Sequence, residues 1–322
     1  YGLWVESNNV TIGAHAPGER NLLAGMQQAA VRFTNTNGGR VSGNYIGPDA
    51  TGAAVIGFQR EGILLQNSSN IIIGTNADGT NDATEGNVIS GGAGVGGGSA
   101  IHLSGGPTTG NIVAGNILGL NAAGTADISA GQVRGVLLNT GANNNRIGGP
   151  LAAQRNLISG NANIGIELNN APDNIIQGNY IGTDITGTLD RGNGLDGIRV
   201  GNLSPRNLIG TNGDGINDAT EGNLVSGNNG QGISVSTSGP GNDSEDCVIA
   251  GNIVGLSTAG TALANSLGGV GLSPGAVNAR VGGALLAERN ILSGNIGAGL
   301  SVAASGVEIQ NNYLGTDPTG LL

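Results

Sequence analysis

Glycine, apolar, any residue, apolar: this pattern returns ten times along the chain when Ala is allowed in the first place. It reads GLWV from Gly2, AVRF from Ala30, GILL from Gly62, AIHL from Ala100, GVLL from Gly135, GIEL from Gly165, GIRV from Gly197, GISV from Gly232, GVGL from Gly269 and GLSV from Gly299. The second and fourth places are apolar every time. The third is mixed: Trp4, Arg32, Leu64, His102, Leu137, Glu167, Arg199, Ser234, Gly271 and Ser301. Alternation with a period of two predicts a short strand with one buried face.

A second signature, Asn followed by two apolar residues, marks one position in each unit: Asn21, Asn44, Asn87, Asn116, Asn156, Asn179, Asn223, Asn252, Asn290 and Asn312. Between the two signatures lies a third apolar patch, as in NNVTIG (8–13), NIIIG (70–74) and NIIQG (174–178). Each unit therefore carries three short strands joined by Gly/Asn turns, at a mean spacing of 33 residues. One unit cannot bury its own apolar face, but stacked units can. The predicted architecture is all-β: a right-handed parallel β-helix of about ten coils and three parallel sheets, one domain over residues 1–322. The recurring Asn is expected at a corner between sheets. Its amide would bond to neighbouring coils and satisfy turn backbone groups otherwise buried unpaired.

The spacings along this Asn ladder run 23, 43, 29, 40, then 23, 44, 29, 38, then 22. The order of long and short loops thus repeats after four coils. The stretch GNYIGTDITGT (178–188) has close copies from Gly43 and Asn311, one in each four-coil unit. It reads as an address within a periodic lattice, not as a catalytic signature. RNLISGN (155–161), GNYIGTDITGT and GTNGDGINDATEGN (210–223) resemble the repeats of large bacterial secreted and cell-surface proteins of the pectin-lyase-like, right-handed β-helix type. That resemblance implies an extracellular or cell-surface setting and a scaffold or adhesive role. It implies no single activity, because β-helices host many.

Composition narrows the classes further. With 64 Gly in 322 residues a mainly helical fold is excluded, and with 38% hydrophobic against 11% charged residues disorder fits poorly. All 12 basic residues are Arg, against 22 acidic ones, for a net charge of −10. An acidic chain without basic runs is not expected to bind nucleic acid, and no apolar run is long enough for membrane insertion. The lone Cys247 excludes an internal disulfide framework and is expected to point into the core.

Among the third-place residues only Glu167 and Arg199 are charged neighbours, and they are expected to form a simple exposed pair. His102 has Leu137 on the next coil and so no partner carboxylate there. Without a carboxylate trio the chain is expected not to be an enzyme. It reads instead as a non-catalytic extracellular structural element: a surface fibre, sheath or adhesin segment. The alternative is a carbohydrate-binding or polysaccharide-cleaving β-helix, with surface glycans as partners.

Two loops, TNADGTNDATEG (75–86) and TNGDGINDATEG (211–222), offer oxygen ligands in one pattern: Asn76, Asp78, Asp82 and Glu85, then Asn212, Asp214, Asp218 and Glu221. Oxygens around a glycine-permitted bend suit Ca²⁺, the expected cofactor; the rival reading is a solvated loop shaped by Asx turns. Arg20, Arg155 and Arg289 each precede a ladder Asn and either bond loop carbonyls, pair with an Asp one coil away, or are solvated. The residue after each ladder Asn makes an outward apolar row. Either the side loops fold back over it or it packs against a neighbouring rod, with Tyr45, Tyr180 and Tyr313 as anchors. Self-association is the expected partnership, end to end as a segment of a longer or stacked solenoid, and laterally through those tyrosines.

Overall fold

The computed structural model describes residues 1–92, 98–239 and 241–321. Its strands form three parallel sheets of ten strands each, and every sheet takes each third strand in chain order. The first sheet runs from Leu3–Val5 to Leu300–Val302, the second from Val10–Ile12 to Glu308–Gln310, and the third from Leu22–Leu23 to Tyr313–Leu314. This is the parallel β-helix. The register aligns like with like, for example Ile63 with Ile101, Ile101 with Val136 and Val136 with Ile166. In the eight inner coils the sixteen apolar positions of the first signature are at most 3% exposed. Fully burying such a side chain is worth roughly 1.5–3 kcal/mol, so stacking stabilises what one coil cannot.

The Asn ladder sits where the second sheet turns into the third. Asn156 is typical. Its Nδ2 donates to Asn179 Oδ1 at 2.9 Å and to Val113 O at 2.8 Å, while its Oδ1 accepts from Asn116 N and Nδ2, both at 3.0 Å. Adjacent amides are joined by the same Nδ2-to-Oδ1 bond from Asn21 through Asn312. Two further ladders occupy the other corners: Asn111, Asn145, Asn174 and Asn207, then Asn161, Asn193, Asn228, Asn265 and Asn295.

Every second coil also throws out a small hairpin after its third strand, closed by the bridges Pro48 to Val55, Leu120 to Asp127, Thr183 to Asp190 and Leu256 to Ala262. The hairpins stack on one another: Ala122 N donates to Gly52 O, Ile185 N to Gly124 O and Thr258 N to Gly187 O, at 2.9, 2.9 and 3.0 Å. Asp184 shapes its hairpin by accepting from the backbone N–H of Thr188 and Leu189, both at 3.0 Å. Asp49, Asn121 and Ser257 do the same work in theirs. The recurring GNYIG stretch is the start of this device.

Candidate functional site

The outward face of the first sheet carries the mixed third-place residues, with Trp4, Arg32, Leu64 and His102 on successive coils in register. Glu61 stands in the turn just before the strand Ile63–Gln66 and reaches the imidazole of the next coil. His102 Nδ1 lies 3.7 Å from Glu61 Oε1, and His102 Nε2 lies 3.1 Å from Asn139 Oδ1. That Oδ1 also accepts from the Thr140 hydroxyl at 3.0 Å. His102 Nε2 thus donates to the Asn139 oxygen, while Nδ1 faces the Glu61 carboxylate. Burial works against the charge of Glu61, yet the facing His102 ring and the charge of Arg60 hold its carboxyl below the ordinary value.

Arg32 completes the cluster. Its guanidinium carbon is 5.0 Å from the ring centroids of both Tyr1 and Trp4, and it donates to the Tyr1 hydroxyl and to Gln66 Oε1. It has no carboxylate partner among the described residues, and its Nε is buried with no hydrogen bond. A cavity of about 290 Å³ lies over Arg32, Glu61, Gln66 and His102. Trp4 beside it is 55% exposed.

Two expectations are corrected here. His102 does have a carboxylate partner, supplied by a turn and not by the outward row. Glu167 and Arg199 lie opposite each other in register but do not pair. Glu167 binds Arg134, and Arg199 binds Asp196 at 2.8 Å. In each case the partner again comes from the residues that flank the outward row. Cys247 is fully buried, and burial pushes its thiol up to about 11, so it is no nucleophile.

The two acidic loops hold their own oxygens. Asp78 accepts from Asn76 Nδ2 at 2.9 Å and from Thr80 N at 2.8 Å, and Asp82 accepts from Gly79 N at 3.1 Å. Asp214 and Asp218 repeat this with Asn212 Nδ2 at 2.9 Å, Ile216 N at 2.8 Å and Gly215 N at 3.0 Å. Glu85 and Glu221 turn under the loops, where they accept from the Thr75 and Thr211 hydroxyls, both at 2.9 Å. Glu85 is also paired with Arg40 at 2.5 Å. No three His, Cys, Asp or Glu side chains are grouped as metal ligands among the described residues.

The tyrosine row is covered from both sides. Arg20, Arg155 and Arg289 lie over Tyr45, Tyr180 and Tyr313, at 3.8, 4.0 and 4.0 Å from the ring centroids. Their Nε atoms donate to the carbonyls of Gly43, Gly178 and Asn311 one coil on, at 3.0, 3.4 and 3.3 Å. The hairpin glycines close over the rings, so that a Cβ on Gly52, Gly187 or Gly320 would come within 2.8, 3.0 or 2.6 Å of them. The rings are half-buried under the chain's own loops, the first of the two arrangements expected for that row.

No family model matches the sequence, and no curated protein matches it. Among solved structures the chain is similar to a double mutant of the periplasmic alginate epimerase AlgG, at 16% identity, covering 97% of this chain and 61% of that one with a TM-score of 0.51. It is similar to the Azotobacter vinelandii mannuronan C-5 epimerase AlgE6 A-module at 11% identity, covering 96% of this chain and 59% of that one, TM-score 0.48. It is also similar to an alginate lyase from Paenibacillus sp. str. FPU-7 at 14% identity, covering 97% and 88%, TM-score 0.42. The chain spans about half to three-fifths of the epimerase chains. The shared feature is the parallel β-helix. The expectation of a non-catalytic fibre, sheath or adhesin element is corrected at this point. The solved structures that share the fold include an alginate epimerase, and the His102–Glu61 pair removes the absence on which that expectation rested.

Proposed function

We propose that the chain binds an acidic polysaccharide along the outward face of its first sheet and acts on it by proton transfer at His102 and Glu61. The observation that carries this reading is the Arg32 guanidinium, without a carboxylate partner, held in the same cavity as an imidazole that faces the partly buried Glu61 carboxylate. A uronate carboxylate fits Arg32, because a guanidinium recognises planar anions through two parallel hydrogen bonds. Neutralising that carboxylate makes the adjacent C–H more acidic. His102, fixed through Nδ1 by Glu61, is then the group that exchanges a proton with substrate at Nε2. It does so as a base only once its Nε2 proton has passed to solvent and the Asn139 amide has turned aside or been displaced by substrate. Positioned acid–base chemistry of this kind contributes about 10²–10⁴-fold in rate.

Hydrolysis fits less well. It needs two carboxylates flanking the bond, and Glu61 is the one carboxylate among the residues lining this cavity. The net charge of −10 opposes an acidic ligand at long range, but salt screens it beyond about 8 Å, and Arg32 and Arg60 set the local field. The exposed Trp4 ring offers a stacking surface. Alginate, the polymer in the names of the enzymes that share the fold, is the first substrate to try. Such a substrate places the protein outside the cytoplasm, as the periplasmic epimerase is. The test is a screen of uronate-containing polysaccharides, read as an unsaturated product or as a changed C5 configuration. Turnover of none of them, with no binding, would sink the proposal.

A further inference from the structure

The same sheet face holds a second hollow, further along the rod. It is a cavity of about 400 Å³ bounded by Asp196, Arg199, Gln231, Ser234, Gly271 and Ser301. Arg199, Ser234, Gly271 and Ser301 follow one another in one outward row on successive coils. The glycine opens the hollow: a Cβ on Gly271 would fall 2.0 Å from Gln231 Oε1, so the Gln231 amide lies directly on it. Among the described residues that side-chain amide has no hydrogen-bond partner; Gln231 bonds through its backbone, its N–H donating to Asp196 and its carbonyl accepting from the Gly197 N–H.

The wall opposite is fully satisfied and therefore rigid. Asp196, 6% exposed, accepts at Oδ2 from Arg199 Nε at 2.8 Å and Ser234 Oγ at 2.7 Å, and at Oδ1 from Gln231 N at 2.9 Å. The charge of Arg199 is cancelled by this pairing. What remains to meet a ligand is neutral: the Gln231 amide and the hydroxyls of Ser236, Ser273 and Ser301, with no aromatic ring on the lining. The first cavity differs in having Arg32 unpaired.

Resting on the function proposed above, we infer that this hollow is a second glycan subsite, which holds a sugar unit through its hydroxyls and performs no chemistry. Ser234 lies four strand spacings beyond His102, about 19 Å. A polymer lying along the row touches both cavities, and a short fragment touches one. Linking two weak sites through one ligand raises the affinity for the long polymer without any new contact at the first site.

The test compares alginate polymer with its disaccharide on the wild-type chain and on Gln231→Ala, Gly271→Leu and Arg32→Ala, each checked for an unchanged melting curve. A Cβ at Gly271 meets the movable end of Gln231 first, so filling the hollow there leaves the coil intact. Gln231→Ala and Gly271→Leu are expected to weaken polymer binding about tenfold and leave disaccharide binding unchanged, while Arg32→Ala weakens both. Unchanged polymer affinity in the first two variants, with Arg32→Ala still impaired, overturns the second subsite and leaves the proposed function standing. Wild-type chain that binds neither ligand overturns both.

Discussion

Arg155 lies over Tyr180, its guanidinium carbon 4.0 Å from the ring centroid, although the two residues belong to successive coils. The same bond line carries Arg155 Nε to the carbonyl of Gly178, so one side chain ties the coils twice. A guanidinium on a half-buried ring is worth about 0.5–2 kcal/mol. A double-mutant cycle with Arg155→Ala and Tyr180→Leu is expected to show coupling of that size in urea unfolding. Simple additivity would mean that the stack contributes nothing.

Asn156→Ala removes an amide that serves four buried bonds, leaving the Val113 carbonyl, the Asn116 N–H and the Asn179 Oδ1 each short of a partner. Each group left unpaired in the interior costs about 1–3 kcal/mol, so the change should cost at least that much. The proper control is exposed Asn169→Ala, expected within about 0.5 kcal/mol of wild type. Asn170 is a poor control because its φ of 54° is itself unfavourable for Ala. Equal unfolding midpoints for Asn156→Ala and Asn169→Ala would remove the ladder's energetic role.

Burial opposes the ionised form of Glu288, but the Leu285 N–H and the Arg280 guanidinium outweigh it and hold the carboxyl below its ordinary value. Ionised Glu288 therefore adds stability that is complete above a pH of about 4.3. That stability is lost as pH falls through the depressed value. Wild type should exceed Glu288→Gln in melting temperature at neutral pH, and the gap should close as the solution is acidified below pH 4. A gap that widens in acid would reverse the assignment.

In the acidic loops the oxygens of Asp78, Asp82, Asp214 and Asp218 accept from the loops' own N–H groups. If those bonds alone shape the turns, a chelator leaves the melting temperature unchanged. A drop in chelator that Ca²⁺ restores, and that Asp78→Ala with Asp214→Ala abolishes, would show that the loops do hold the ion.

The rows that make the core were legible because burial imposes a period. Ile63, Ile101, Val136 and Ile166 repeat a pattern that a strand requires, and the Asn ladder repeats for the same reason. The hairpins were half legible. Tyr marks three of the coils that carry them, but NILGLNAAG (116–124) and NIVGLSTAG (252–260) build the same turn with Asn121 and Ser257 in place of Asp. The candidate site was hidden for a geometric reason. The outward row of the strands contains His102 and Arg32, but Glu61 and Asp196 approach that row from the residues before a strand and Arg134 from a strand's first residue, where no alternation marks them.

The central claim is that His102 moves a proton on a uronate chain held by Arg32. Alginate incubated with the protein in deuterated water reads this directly, because a proton removed next to the carboxylate and returned from solvent is replaced by deuterium, and one lost by elimination leaves a double bond. Either mark is expected with the wild-type chain, neither with His102→Ala, and wild-type levels with the distant Glu288→Gln. Marks of undiminished strength with His102→Ala, or none with the wild-type chain that binds the polymer, would contradict it.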